Sequence, residues 1–300
     1  MTQPRDLVGY GRTPPPAGWP GGARVAVQFV LNVEEGGEHN VLHGDAHSEA
    51  FLTEEPTVAL AGRRNPNVES QYEYGSRAGF WRLHRLFTER GLPLTVFGIA
   101  RALEQVPDAV AAMAEAGWEV ACHGLRWIDY STMDEADERR HVREAIEIHT
   151  RVTGHRPDGW YTGRTSPNTR RLVAAEGGFL YDSDSFADDL PYWVDVDGTD
   201  QLVVPYTLDN NDIRYVNPYG YNAPSFADYL IGAYELLVAE GADRPRMMSV
   251  GMHSRIVGRP GRAADLVRFL DHVAGSDAAW VARRVDVARH WRAHHPAGAR

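Results

Sequence analysis

The stretch Glu119-Val120-Ala121-Cys122-His123-Gly124-Leu125-Arg126-Trp127 begins as a short apolar strand and places a histidine at its carboxyl end. Two histidines separated by three residues would be typical of a metal site at such a position. The second position here holds Trp127, whose indole nitrogen only donates hydrogen bonds and cannot coordinate a cation. The stretch therefore predicts a functional histidine at the end of a buried strand, beside an incomplete set of metal ligands.

Strands and helices alternate on both sides of this stretch. The first strand, residues 24–32, is an almost continuous apolar run, as expected of a strand buried on both faces. Such alternation predicts a parallel sheet, and seven or eight units of it predict an α/β fold of the (β/α)-barrel type. We predict further strands at 94–99, 118–122, 159–161, 180–182, 202–206, 247–252 and 279–282. We predict helices at 77–90, 107–116, 134–152, 166–176, 225–240, 262–276 and 285–294.

Two segments fall outside this alternation. Residues 1–22 are rich in proline and glycine and are predicted to form an irregular arm, which either wraps a neighbouring subunit or is a loosely packed tail. Residues 36–73 lack periodicity, and so long a loop after the first strand is usually functional. We therefore expect one barrel domain over residues 23–300, preceded by the arm at 1–22.

Composition limits the partners and the compartment. The chain has a formal net charge of −10, which argues against nucleic acid, since phosphate binding needs a basic surface. Its one cysteine, Cys122, excludes an intramolecular disulfide and argues against a secreted framework. Residues 1–6 contain no apolar run of the kind that predicts a signal peptide, and no apolar run approaches the roughly 18 residues that predict a membrane span. We expect a cytoplasmic enzyme with neither a membrane partner nor a nucleic-acid partner.

Polar side chains directly follow six of the predicted strands. Because the catalytic groups of (β/α) barrels gather where strands end and loops begin, these side chains are predicted to form one active site. They are, in chain order, Asn32, Glu34 and Glu35; His123 and Trp127; Arg164; Asp182 and Asp184; Asp209, Asn210 and Asp212; and His253.

Several of these residues also have a purely structural interpretation. Either Glu34 or Glu35 can be a solvated loop carboxylate, and the sequence leaves open which of them points inward. His123 can be a core histidine bonded to a backbone carbonyl, and Trp127 can serve packing alone. Arg164 can pair with an aspartate such as Asp184.

In their order, the motifs resemble those of the polysaccharide deacetylase superfamily, also called the NodB-homology superfamily, over about residues 24–292. That family has a distorted (β/α) barrel, and its motifs are an Asp-Asp pair, H-x-x-x-H, an arginine loop, an aspartate strand and a late Leu-x-His. The matching stretches are Asn32-Val33-Glu34-Glu35, His123 to Trp127, Gly159-Trp160-Tyr161-Thr162-Gly163-Arg164, Asp182-Ser183-Asp184 and Gly251-Met252-His253. Two departures stand out, because Trp127 replaces a ligand histidine and Glu34-Glu35 replaces the Asp pair.

Longer strings are similar to one branch of that family, the allantoinases of purine catabolism. This resemblance implies a hydrolase that opens the hydantoin ring of (S)-allantoin, a small-molecule ureide, to give allantoate. It also implies a homotetramer that needs no metal cofactor. The strings are Arg5-Asp6-Leu7-Val8-Gly9-Tyr10-Gly11-Arg12, Leu31-Asn32-Val33-Glu34-Glu35-Gly36-Gly37-Glu38, Tyr74-Gly75-Ser76-Arg77-Ala78-Gly79, Arg126-Trp127-Ile128-Asp129-Tyr130, Trp160-Tyr161-Thr162-Gly163-Arg164-Thr165 and Tyr181-Asp182-Ser183-Asp184.

Hydrolysis of a cyclic amide without a metal needs a base, a donor for the oxyanion and an acid. We expect Glu35 or Glu34 to activate water as the base. We expect His123, Arg164 or backbone N–H groups to stabilise the oxyanion, and His253 to protonate the leaving nitrogen. The residues expected to bind the substrate are Asn32, Trp127, Tyr161 and Asp184.

Two alternatives stay open. The first is a metal-dependent N-deacetylase of an N-acetylated sugar, with zinc or another divalent metal held by Glu34 and His123. That pair is one ligand short of a catalytic metal site unless His39 or His43 completes it. The second alternative is a binding protein that has kept the barrel and lost the chemistry.

Overall fold

The computed structural model describes residues 5–54, 58–216 and 225–298. Its centre is a curled sheet of nine strands, in the order β6-β7-β5-β4-β3-β2-β1-β8, with β9 also paired to β1. Apart from the antiparallel pair β6–β7, the paired strands of the described chain are parallel. The predicted α/β fold of the distorted (β/α)-barrel type is confirmed. The strands are β1 Val25–Val33, β2 Thr95–Gly98, β3 Glu119–Cys122, β4 Gly159–Trp160, β5 Tyr181–Asp182, β6 Tyr192–Val196, β7 Thr199–Val203, β8 Arg246–His253 and β9 Ala279–Val281.

Helices cover the outer face of the sheet. Within the described residues, no helix is both long enough and apolar enough to cross a membrane. A single π-helical turn, Gly75–Gly79, joins the first two α-helices into one continuous rod. The helices are α1 Pro66–Tyr74, α2 Phe80–Thr88, α3 Ala100–Leu103, α4 Pro107–Glu115, α5 Glu135–Thr153, α6 Thr169–Glu176, α7 Phe226–Glu240, α8 Pro260–Ala274 and α9 Arg284–His294.

Strand β1 is the axis of the sheet. One of its edges pairs with β8 over Val25 to Asn32. Its other edge is shared, because β9 pairs with Val25 to Val27 and β2 pairs with Val30 to Val33. A strand hydrogen-bonded on both sides and covered on both faces must be apolar, which explains its almost continuous hydrophobic sequence.

The two faces of β1 have different tasks. Side chains alternate along a strand, and Phe29 lies on the outer face, where its ring packs edge-on against Phe87 and Phe269 at centroid distances of 5.2 and 6.0 Å. On the inner face, Gln28 and Asn32 are buried polar groups inside the curl of the sheet. Because this alternation continues past the end of β1, the side chain of Glu34 also lies on the inner face.

Irregular segments of the chain lie between the two edges of the curled sheet and close the barrel. Beside β8, the N–H of Met247 donates to the carbonyl of Asp189 at 2.9 Å, and the N–H of Gly251 donates to the carbonyl of Asn210 at 2.8 Å. Asn211 forms a parallel bridge to Gly251. We call this junction, residues 204–212 against β8, the seam of the barrel.

The predicted strand at 202–206 is placed too far along the chain, and the strand that pairs with it was not predicted. Strand β7 ends at Val203 and forms a hairpin with β6, where the sequence analysis predicts no strand. The turn is Asp197-Gly198, with positive φ angles of 52° and 86°. An Asp-Gly pair favours such a turn because both residues tolerate the left-handed region. The signal for a hairpin was therefore in the sequence.

A helix also lies in the segment predicted to be a long loop at 36–73. Helix α1 starts after Asn65, whose side chain accepts a hydrogen bond from the N–H of Val68, and has Pro66 in its first turn. Both residues are standard signals for the start of a helix. The prediction missed them because the helix is polar and its apolar residues are widely spaced.

The end of the N-terminal arm is packed against the chain's own barrel. Trp19 is 2% exposed, and its indole N–H donates to the carbonyl of Arg246 at 2.8 Å. Its ring lies 5.9 Å from that of Trp291 in α9. A loosely packed tail is therefore the wrong description for this part of the arm. A contact with a neighbouring subunit, and the division into an arm and one domain, stay predictions.

Candidate active site

Glu34 lies at the centre of the polar groups at the carboxyl ends of the strands. It is 0% exposed, and its Oε2 accepts a hydrogen bond from Nη1 of Arg255 at 2.7 Å. Its Oε1 faces two imidazoles, with Nε2 of His123 at 3.4 Å and Nε2 of His253 at 3.5 Å. Burial alone would raise the pKa of Glu34, but Arg255 and His253 outweigh it and hold this pKa well below its usual range. Glu34 is therefore an anion enclosed by nitrogen groups.

Glu35 points in another direction, because successive side chains alternate. Its Oε2 accepts from the backbone N–H of Glu34 at 3.1 Å, and its Oε1 lies 4.0 Å from Nη1 of Arg255. It packs against the π-helical turn, where a Cβ atom on Gly75 would come within 2.2 Å of Oε1. Burial is the main reason that the pKa of Glu35 is raised. The structure thus separates the two carboxylates, and Glu34 is the one that meets the histidines.

His253 is held by Asp212. Its Nδ1 lies 2.6 Å from Oδ1 of Asp212, and its backbone N–H donates to Oδ2 of the same carboxylate at 2.7 Å. Because a carboxylate accepts hydrogen bonds, Nδ1 carries a proton. Burial would lower the pKa of His253, but Asp212 and Glu34 raise it to about 9. At neutral pH, His253 is therefore an imidazolium whose second N–H lies beside Glu34.

His123 is fixed from its other side. Its Nδ1 lies 3.1 Å from the carbonyl oxygen of Tyr161, which requires a proton on Nδ1. Its ring lies 4.8 Å from the ring of Tyr161 and 5.2 Å from that of Trp127. The bond to a backbone carbonyl that the structural interpretation predicts is present, and it leaves Nε2 to face Glu34.

Arg255 is a member of the site that the sequence analysis did not identify. It is 3% exposed, and its guanidinium carbon lies 4.3 Å from the centroid of the Tyr72 ring. Its Nε and Nη2 are buried and have no hydrogen-bond partner among the described residues. Arg255 stands two residues after His253, so the continuation of the inner face of β8 was the signal that could have found it.

Asn32 lines the wall of the site, and its side-chain amide has no N–H group left to bind a substrate. Its Nδ2 donates to the hydroxyl of Tyr206 at 2.9 Å and to the carbonyl of Met252 at 3.0 Å. Both amide hydrogens are therefore occupied. Tyr206, in turn, packs against Tyr161 at a centroid distance of 4.9 Å. Asn32 thus positions the aromatic wall.

Trp127 and Arg164 form the side of the site that lies towards the loops. The guanidinium carbon of Arg164 lies 5.5 Å from the Trp127 ring centroid and 4.9 Å from that of Phe51. The indole N–H of Trp127 and Nη1 of Arg164 are buried and find no hydrogen-bond partner within the described parts of the chain. Nη2 of Arg164 lies 3.9 Å from Oδ2 of Asp129, so Arg164 pairs with Asp129 and not with Asp184, the aspartate suggested from the sequence.

Asp184 is not brought to this cluster. Its carboxylate accepts from the N–H of Thr162 at 2.9 and 3.0 Å and from the N–H of Gly163 at 2.8 Å. Burial and the neighbouring Asp182 raise its pKa to about 7. Its contacts shape the turn that follows Tyr161, because two consecutive backbone donors converge on it. Its side chain therefore positions the loop and does not reach the cluster at Glu34.

The donor set does not fit a divalent metal. The carboxylate expected to bind one is already paired with the guanidinium of Arg255, and Trp127 offers no lone pair. The rings of His39 and His47 lie 4.6 Å apart and are tilted to each other, and His43 ends the short 3₁₀ turn Val41–His43. Across the described residues, no group of three or more His, Cys, Asp or Glu side chains has an arrangement that could hold a metal ion.

Known proteins resemble this chain over its whole length. Residues 62–179 match the family model described as polysaccharide deacetylase. A protein of Schizosaccharomyces pombe strain 972 whose name places it among the polysaccharide deacetylases is 39% identical over 317 residues, which covers 99% of each chain.

Two crystal structures are similar at 55% identity. That of a probable polysaccharide deacetylase from Pseudomonas aeruginosa PAO1 superposes with a TM-score of 0.95 and covers 98% of this chain and 99% of its own. That of Puue allantoinase superposes with a TM-score of 0.96 and covers 99% of both chains.

Proposed function

We propose that this chain, which belongs to the polysaccharide deacetylase family of hydrolases that act on carbon–nitrogen bonds, opens the hydantoin ring of (S)-allantoin to give allantoate. The observation that carries the proposal is the buried Glu34 carboxylate enclosed by Arg255, His123 and His253. This arrangement provides a base and an acid for amide hydrolysis from protein groups alone. The similarity to an allantoinase over the full chain supports the choice of substrate.

In the proposed reaction, water adds to the ring carbonyl that is bonded to the carbon bearing the ureido group. Glu34 accepts a proton from this water at Oε1, and the oxygen forms a bond to the carbonyl carbon. His253 then gives its Nε2 proton to the ring nitrogen as the carbon–nitrogen bond breaks. The products are a carboxylic acid, which ionises, and a second ureido group, which together make allantoate. Transfer of the proton from Glu34 to His253 then restores both groups.

Charge develops on the carbonyl oxygen during this step and needs donors in a site with little water. We assign this task to the indole N–H of Trp127, which lies beside His123 and has no hydrogen-bond partner among the described residues. The bond between His123 and the carbonyl of Tyr161 fixes the orientation of the ring.

The rest of the site suits a flat ligand rich in ureido groups. Trp127 and Tyr161 give aromatic walls on two sides of His123. Arg164 contributes Nη1, a buried donor without a partner in the described chain, which can bind the carbonyl of the ureido tail. We therefore assign Arg164 to substrate binding instead of catalysis, and we assign Glu35 and Asp184 to support of the site.

The test is an assay of purified protein after treatment with a chelator. We expect conversion of allantoin to allantoate, measured by loss of the ring and appearance of the ureido acid. Folded protein that does not turn over allantoin would refute the proposal. The same preparation, with zinc restored, should release no acetate from N-acetylated chitooligomers, and acetate release would favour the deacetylase alternative instead.

A third result would distinguish a binding protein that has lost its catalytic activity from an active hydrolase. It would bind allantoin, as measured by calorimetry, and leave it intact. The proposal also includes the setting that the resemblance implies, which is purine catabolism in the cytoplasm by a homotetramer. Size measurement in solution tests the assembly.

A further inference from the structure

We infer that Arg255 is a cation built into the site, and that its charge, in addition to the loss of a ligand at Trp127, keeps a divalent metal out. This inference deepens the proposed function and rests on its metal-free chemistry. It names a residue with no place in the family motifs that the sequence matches. It also predicts that restoring the missing histidine alone does not restore metal binding.

The position of the guanidinium carries the inference. Its Nη1 lies 2.7 Å from Oε2 and thus engages the carboxylate that a metal would need. The same nitrogen lies 4.0 Å from Oε1 of Glu35, so Arg255 is the cation between both carboxylates of this loop. A dication beside His123 would have to share Glu34 with a positive charge that is 3% exposed and poorly screened by solvent.

Arg255 cannot easily swing away to admit a metal. Its guanidinium lies over the ring of Tyr72, and the turn that carries it packs on the π-helical turn Gly75–Gly79, where Gly258 meets Gly79. A Cβ atom on Gly79 would lie 2.0 Å from the carbonyl oxygen of Ser254, and one on Gly258 would lie 2.1 Å from the same atom. On the other side, the N–H of Val257 donates to Asp212 at 3.0 Å. The turn is therefore fixed on both sides.

The chain offers a matched control in Arg259. It belongs to the same turn region, and its guanidinium carbon also stacks on a tyrosine, 3.6 Å from the centroid of Tyr74. Its carboxylate partner is Glu54, at 3.6 Å, and its side chain is one-third exposed. Removing the charge of Arg259 therefore changes the total charge by the same amount, away from Glu34.

The experiment measures zinc affinity in four variants, by competition with a chromophoric chelator and by the absorption spectrum of bound cobalt. They are Trp127→His alone and Trp127→His combined with Arg255→Gln, Arg255→Lys or Arg259→Gln. We expect the combination with Arg255→Gln to bind one zinc about 100-fold more tightly than Trp127→His alone, the upper range for a group that acts on a metal through its ligand. The combinations with Arg255→Lys and Arg259→Gln should behave like Trp127→His alone.

Each outcome of these zinc measurements either supports or overturns the inference. Equal zinc affinity in Trp127→His and in its combination with Arg255→Gln would overturn the inference, and so would tight binding by the Arg255→Lys combination. If the Arg255→Gln combination does not fold, tight stoichiometric zinc binding by Trp127→His alone still overturns it, and weak binding by both Trp127→His and the Arg255→Lys combination supports it. Because zinc binding needs no substrate, these results are independent of whether the unmodified protein turns over allantoin.

Discussion

Two arginines are buried inside the barrel, and their surroundings differ. Arg284, at the start of α9, is 0% exposed and donates from all three of its nitrogens to neutral acceptors. These acceptors are the side chains of Gln28, Ser183 and Ser249 and the carbonyl oxygens of Val204 and Pro205. Arg255, near the carboxyl-terminal ends, donates to one carboxylate and leaves Nε and Nη2 without partners in the described chain.

This difference separates a structural group from a functional one. A buried polar group that satisfies all its hydrogen bonds holds the fold together, whereas one with unsatisfied bonds beside other charges is typical of a working site. Burial lowers the pKa of Arg284, while Tyr72 and the two glutamates outweigh burial and raise the pKa of Arg255. Arg284 in the barrel interior thus contributes stability, whereas the groups at the mouth of the barrel, which is the carboxyl ends of the strands, contribute reactivity.

The largest effect is expected at the mouth, from Glu34→Gln. This change keeps the shape of the side chain and removes the base, so kcat/KM for allantoin should fall by about 10³-fold. The matched change Glu35→Gln should reduce it by less than about tenfold, because that carboxylate faces the π-helical turn. Steady-state kinetics on both variants makes the comparison, and a greater loss in Glu35→Gln would reverse the assignment of the base.

The next effect compares Arg284 with Arg255 by the same substitution. Arg284→Lys loses the planar fork and leaves several buried acceptors unpaired, which should lower the free energy of unfolding by about 3 kcal/mol. Arg255→Lys loses one bond and keeps its charge, so its unfolding free energy should stay within about 1 kcal/mol of the unmodified protein. Denaturant unfolding measures both, and equal destabilisation would remove the distinction between the two arginines.

A third effect concerns the acid. Burial lowers the pKa of His253, but the charge of Asp212, followed by that of Glu34, raises this pKa to about 9. Because the reaction needs the protonated form, kcat/KM should be constant through neutral pH and fall as pH rises through about 9. In Asp212→Asn the pKa falls, so this alkaline limb should move to lower pH by at least about one unit. A pH–rate profile checks this, with the surface change Asp271→Asn as control, and an unmoved limb would exclude His253 as the acid.

The smallest effect is expected where the mouth meets the loops. Arg164→Gln removes a donor proposed to bind the ureido tail, at a distance from the bonds that change. We expect KM to rise about tenfold and kcat to change by less than about threefold. A fall in kcat at constant KM would instead return Arg164 to the oxyanion, as first expected from the sequence.

Much of the fold could be predicted because its signals are local. The apolar run of β1 and the alternation of strands and helices determine a parallel sheet, whichever groups occupy the site. The hairpin of β6 and β7 was missed although Asp197-Gly198 marks it, because the strands are half exposed and carry no long apolar run. Local pattern therefore predicts buried strands better than surface strands.

The site was predictable only in part. Glu34 and His253 follow from their positions after strands, and period-two alternation from Asn32 would have favoured Glu34 over Glu35. Arg255 and Asp212 could not be paired with their partners from spacing, since the sequence positions that meet lie 221 residues apart in one case and 41 in the other. Only the three-dimensional fold shows which distant charges neutralise each other.

The active site is complete only when the seam of the barrel has formed. Asp212 directly follows the bridge between Asn211 and Gly251, so the contact that closes the barrel also delivers the partner of the acid. An open seam would separate Asp212 from His253 and remove the carboxylate that does most to raise the pKa of that imidazole. A barrel with an open seam would therefore lack the paired acid that the proposed reaction uses.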